Sequence, residues 1–93
     1  MLFITNENEL QLSLPQQALY FYLPWEPFHH KYLVMISQFE HLPFFAIDLD
    51  AFPKQVKRFS IRSIPSILLL KGGKETARLE GKITASAFQS IFV

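Results

Sequence analysis

The run Ala18-Leu19-Tyr20-Phe21-Tyr22-Leu23 is apolar on every side, and it constrains the chain more than any other segment. A half-buried strand alternates apolar and polar residues. A continuous apolar run of strand length, stopped here by Pro24, has to be covered above and below. Phe44–Leu49 reads the same way, following Pro43 and carrying Asp48 and Asp50 at its end. Between the two, Tyr32, Met35, Ile36 and Phe39 fall at i, i+3, i+4 and i+7, a helix with one buried stripe. Buried strands alternating with helices predict an α/β domain.

The remaining segments fill in the order. Leu2–Thr5 reads as a short strand closed by Asn6, and Asn6 or Asn8 is placed to cap a short helix over Glu9–Leu14 that Pro15 ends. Pro27 suits a first helical turn, where its missing N–H has no intrahelical partner. Pro53 opens another turn, with Phe52, Val56 and Phe59 on one side and Lys54, Lys57 and Arg58 on the other. Ser66–Lys71 and Thr76–Glu80 are strands joined by Gly72-Gly73, a hairpin turn whose central residues need positive φ. Thr84 is placed to cap the last helix, with Ile83 and Phe88 at hydrophobic-staple spacing and Ala85, Ile91 and Phe92 completing its core face. A βαβ half followed by a ββα half predicts one mixed central sheet with helices on both faces.

At 93 residues this is a single domain over 1–93, with no internal repeat, low-complexity stretch or linker. With 49% hydrophobic and 18% charged residues it is neither a disordered tail nor a polyelectrolyte. No apolar run approaches the roughly 20 residues of a membrane span, and no basic region followed by an apolar stretch opens the chain, so a cytoplasmic location is expected. The chain has no cysteine, which excludes disulfides, thiol catalysis, zinc–thiolate sites and cysteine-held iron–sulfur clusters. Residues 1–50 hold one lysine against six carboxylates and residues 51–93 hold eight Lys/Arg against two, net −5 and +6. Interleaving of the halves into one mixed solvated surface is the ordinary expectation.

The stretch Phe21-Tyr22-Leu23-Pro24-Trp25-Glu26-Pro27-Phe28-His29-His30 resembles the active-site strand and loop of the thioredoxin family, F-W-A-x-W-C-G-P-C-K. The likeness resumes at Asp48-Leu49-Asp50 and continues from Val56 through Ile61-Arg62-Ser63-Ile64-Pro65-Ser66 to Gly72-Gly73, similar to the family's KYGIRGIPTLLLFKNG. Gly81, Ile83-Thr84 and the last helix follow without a further gap, so the resemblance covers about residues 18–93 and implies a thioredoxin-like fold. It also shows what is missing. Glu26 and His29 stand at the two cysteine positions, Tyr20 at the position of the family's buried acid, and Ala46 at that of its partner lysine. Disulfide exchange needs a thiolate of lowered pKa and a second, resolving thiol. A carboxylate and an imidazole supply neither, so disulfide oxidoreductase activity is excluded.

Several uses of the altered loop can be weighed. Glu26 and His29, three apart, would meet on a helical turn, and an acid beside an imidazole is raw material for acid–base catalysis. A first-turn Glu is also favoured by the helix dipole alone, and no Ser, Cys or Thr nucleophile is placed nearby. His29 and His30 point about 100° apart on a helix and do not chelate one ion, and His41 lies at the helix's far end, so no metal or other cofactor is expected. Lys54, Lys57, Arg58 and Arg62 form a basic cluster, but the aromatics are committed to the core and direct nucleic-acid binding is not expected.

The resemblance implies instead that Ile64–Pro65 is cis and borders a groove beside the Trp loop, where an extended partner segment adds along the backbone. Trp25, Glu26, Phe28, His29, Ile64, Pro65 and Gly81 would form that partner groove, provided Trp25 and Phe28 point outward. The expected function is therefore a redox-inactive, protein-binding accessory module, with a non-thiol enzyme or metal protein using Glu26 and His29 as the alternative. Cysteine-free relatives of the family serve as assembly chaperones, as in hydrogenase maturation. Thioredoxin itself serves as a processivity subunit of a phage DNA polymerase without using its thiols, and this short chain is similar in size to phage-encoded members. The expected partner is another protein, with the chain a monomer or, if the Trp–Phe patch is sealed by a second copy, a homodimer.

Overall fold

The computed structural model describes residues 1–39 and 42–92, so His41 lies outside the described residues. The chain forms β1 (Leu2–Phe3), a 3₁₀ turn (Glu7–Glu9), β2 (Gln16–Tyr22), α1 (His29–Ser37), β3 (Phe44–Asp48), α2 (Lys54–Arg58), β4 (Ser66–Lys71), β5 (Lys74–Glu80) and α3 (Ala85–Phe92). The strands make one sheet in the order β1-β3-β2-β4-β5. β1 and β2 run parallel to β3, β2 antiparallel to β4, and β4 antiparallel to β5, so the sheet is mixed. The apolar run sits at its centre, hydrogen-bonded on both edges.

Strand alternation divides the core into two layers. Ala18, Tyr20 and Tyr22 of β2 join Phe44, Ala46, Ile67 and Leu69 on the face covered by α1 and α3, through Tyr32, Ile36, Phe88 and Phe92. Leu19 and Phe21 join Phe45, Ile47, Leu68 and Leu70 on the other face. Phe52 and Phe59, on either side of α2, cover that second layer together with Leu10, Leu12 and Leu14. Each fully buried side chain such as Phe21 or Phe88 contributes roughly 1.5–3 kcal/mol of transfer free energy, and a domain this small depends on having many of them. No helix among the described residues is long and apolar enough to cross a membrane.

The local signals come out with some corrections. Gly72 and Gly73 take φ of 58° and 82°, and Lys71 pairs directly with Lys74, so β5 begins two residues earlier than the sequence predicts. A side chain at Gly73 would also place its Cβ 3.0 Å from the Leu12 carbonyl oxygen. Thr84 caps α3, its Oγ1 accepting from the Ala87 amide at 3.1 Å. The helix expected over Glu9–Leu14 does not form. Asn6 caps only the 3₁₀ turn, with Glu9 completing a capping box, and Leu10, Leu12 and Leu14 continue at the two-residue spacing that turns all three onto the second layer. The face of α2 is also corrected. Val56 is exposed, whereas Gln55 is buried and donates to Glu7 Oε2 at 2.8 Å.

Candidate functional site

β2 presents Tyr20 and Tyr22 to the α1 face, because residues two apart on a strand share a side. Their rings stack at 5.4 Å between centroids and 16° between planes. After β2 the backbone turns at Leu23–Glu26, the Glu26 amide donating to the Leu23 carbonyl at 3.0 Å, and α1 begins with His29 lying over the two tyrosines. The His29 ring stacks on Tyr22 at 4.3 Å and 9°. Its Nδ1 is hydrogen-bonded to Tyr20 Oη at 2.9 Å.

Burial sets the charge state of this group. The Tyr20 phenol is pushed far above its ordinary range, first by burial and then by the Glu26 charge. Burial likewise holds the His29 imidazole below its ordinary value, against the opposing pull of Glu26 and Asp48. The Tyr22 phenol is raised by burial and by Asp48. Tyr20 and His29 are therefore a neutral hydrogen-bonded pair at neutral pH. The two positions that the resemblance aligns with the family's buried acid and second cysteine are thus in direct contact in this chain. Sequence reasoning noted each position and missed their contact. The available signal was that both positions carry side chains able to bond each other.

Glu26 and His29 close one hydrogen-bonded turn just ahead of α1, the His29 amide donating to the Glu26 carbonyl at 3.1 Å, but their side chains turn to other partners. The Glu26 carboxylate accepts from the Phe28 amide at 3.1 Å, while His29 is engaged with Tyr20, so each side chain has a separate partner. His30 is exposed. Among the described residues no group of three or more His, Cys, Asp or Glu is placed to hold a metal ion.

Trp25 and Phe28 point outward, 66% and 55% exposed. Ile64–Pro65 is cis. Pro65 is buried and Ile64 half-buried, and the amide of Gly81, at φ 71°, donates to the Pro65 carbonyl at 2.9 Å. Ile64 shares a cavity of about 260 Å³ with Leu23, Leu49, Val56 and Ile61. Phe28 lines a different one, between α1 and the residues leading into α3. The two ends of the Trp loop thus border two separate apolar cavities.

The cis-Pro side is held by a residue the sequence reading did not single out. Arg78 donates to the carbonyls of Phe59 at 2.7 Å and Ser60 at 2.9 Å, and pairs with Glu75 and Glu80. Ser60 has a φ of 54°, an uncommon conformation for a residue with a side chain, and Arg78 fixes it from β5. Of the basic cluster, Arg62 pairs with Glu80 at 3.0 Å and Arg58 donates to Gln55 and lies over the Phe59 ring. The ion pairs among the described residues all fall within the basic half of the chain, between Arg62 or Arg78 and Glu75 or Glu80.

The thioredoxin family model matches residues 13–92. Two solved structures superpose over nearly the whole chain. Thioredoxin O2 from Arabidopsis thaliana gives a TM-score of 0.82 at 16% identity, covering 97% of this chain and 89% of that one. A mutant thioredoxin from Halobacterium salinarum gives 0.85 at 15% identity, covering 98% and 86%. At that identity they show the fold, a thioredoxin-like α/β domain. Among curated proteins, thioredoxin of Chlamydia trachomatis is 32% identical over 47 residues, half of this chain and 46% of that protein. Glutaredoxin 3 of Danio rerio is 27% identical over 68 residues, 69% of this chain and 21% of that protein. The chain spans less than half the length of the curated relatives it matches. On the family match, the chain belongs to the thioredoxin family. It carries no thiol, so its own residues cannot perform the family's disulfide exchange.

Proposed function

We infer that this thioredoxin-family domain is a redox-inactive, protein-binding accessory module, chaperone-like or polymerase-accessory-like, and that a cytoplasmic setting goes with that role. The carrying observation is the loop between β2 and α1. It holds two large aromatics, Trp25 and Phe28, in solvent, while the polar pair beneath it is turned inward and neutralised. Exposed aromatics of this size beside apolar cavities are the usual anchors of a protein interface. Ile64 and Leu23 supply the neighbouring cavity, suited to one apolar side chain of an extended partner segment. The reading built on Glu26 and His29 as a catalytic or metal pair gains no support from side chains that engage separate partners.

Affinity capture with the wild type and a Trp25→Ala/Ile64→Asp variant tests the reading. A protein recovered in near-stoichiometric amount with the wild type and lost with the variant is the expected result. Equal recovery with both would remove the Trp loop and the cis-Pro wall from the interface.

A further inference from the structure

The cavity beyond the Trp loop has a chemistry of its own. Phe28, Val34 and Met35 from the α1 side and Ile83 from the α3 side form its apolar lining, enclosing about 420 Å³. That lies within the roughly 300–1,000 Å³ usual for ligand sites. Phe28 and Val34, 55% and 49% exposed, leave the groove open to solvent. Lys31 and Lys82 also line it, one from each wall. From Phe28 to Phe39 and from Gly81 to Phe92 the sequence has those two lysines and no carboxylate. Neither lysine has an ion-pair partner among the described residues. The N-terminal end of α3 opens at the same cavity through Thr84 and Ala85, adding the positive end of its dipole.

We propose that the α1–α3 groove docks an acidic amphipathic segment of a partner protein, its apolar side chains seated on Phe28, Val34 and Met35 and its carboxylates facing Lys31 and Lys82. Charge complementarity selects this occupant. A basic segment meets two lysines that have no ion-pair partner among the described residues, and an uncharged one leaves them unused. The inference rests on the reading of this end of the molecule as a protein-binding surface, and it names the partner's chemistry at a second groove away from Ile64.

The probe is a fluorescein-labelled Leu/Glu peptide of amphipathic pattern, with a Leu/Lys peptide of the same length as its counterpart, each titrated by anisotropy. The wild type is expected to bind the acidic peptide roughly tenfold more tightly than the basic one, less so at high salt. Lys31→Glu/Lys82→Glu is expected to reverse that preference, and Val34→Asp to weaken the acidic peptide severalfold. These positions are exposed, so each variant is expected to keep the wild-type circular dichroism spectrum, which is the check that it folds. Equal binding of the two peptides, or an unchanged preference in the double lysine variant, overturns the proposal. So does sedimentation showing a dimer that Val34→Asp dissociates, which would make a second copy the occupant. Trp25→Ala/Ile64→Asp is expected to leave peptide binding at this groove intact. Failure here with partner recovery still sensitive to Trp25 and Ile64 would sink this groove alone. Peptide binding with insensitive recovery would instead sink the Trp-loop reading.

Discussion

Two loops meet at one end of the sheet and are held by different physics. The segment from Phe59 to Pro65 is tied down by charge and hydrogen bonds. Arg78 holds two of its carbonyls, Arg62 pairs with Glu80, Ser66 Oγ donates to the Ser63 carbonyl at 2.6 Å, and Gly81 donates to Pro65. The segment from Leu23 to Phe28 has backbone turns and the Glu26 carboxylate on the Phe28 amide, and it presents its aromatics to solvent. Its anchor is where it ends, in the stack of His29 on Tyr22 and the bond to Tyr20. In a chain without thiols, one of the two segments is therefore held by a polar network and the other carries a hydrogen-bonded Tyr20–His29 pair beneath exposed aromatics. Loss of chemistry at a site need not mean loss of its shape.

Arg78→Ala attacks the charged wall most directly and is expected to have the largest effect. Its side chain is 16% exposed, and removing it leaves two carbonyls and two carboxylates without this donor. A loss of about 2–3 kcal/mol in urea unfolding is expected. A loss near zero would mean that the backbone alone holds the loop. On the aromatic wall, Tyr20→Phe keeps the packing and removes one hydrogen bond, so about 1 kcal/mol is expected, with displaced His29 ring resonances as the accompanying signature.

The same wall should respond to acid. Because the folded His29 value lies below its ordinary one, the unfolded chain takes up the proton first as pH falls. Stability from this group is complete above the ordinary imidazole value of 6.5 and declines below it. Comparing urea midpoints at about pH 7.5 and about pH 5.5 is expected to show a larger acid loss for the wild type than for His29→Phe. An identical loss would mean that the stack tolerates the charged ring. The smallest effect is expected at the exposed end of the loop. Trp25→Ala should change stability by no more than about 0.5 kcal/mol while abolishing partner recovery, which would separate surface function from fold.

Much of this was legible in the chain. The β2 run, the stripe on α1, the Gly72-Gly73 turn and the Thr84 cap are local signals, written in spacing and residue type. The failures were local signals overruled from a distance. Glu9–Leu14 reads as a capped helix, yet Leu10, Leu12 and Leu14 are needed as a cover for the second core layer. On α2 the apolar Val56 lies outside and the polar Gln55 inside, because Glu7 waits across the fold to receive its amide. Arg78 had only the flanking Glu75 and Glu80 to mark it, since the carbonyls it holds lie 18 and 19 residues away.

By itself the sequence determined that the central strands are buried on both faces, that the family frame is present, and that no thiol chemistry can occur on it. These follow from hydrophobic periodicity, motif spacing and the absence of one element, none of which depends on the folded geometry. The tertiary structure alone decided that Tyr20 and His29 satisfy each other, that Trp25 and Phe28 stay in solvent, and that two lysines with no ion-pair partner among the described residues line an apolar groove. Those are pairings and exposures between segments separated along the chain, and they exist only once the sheet has brought the segments together.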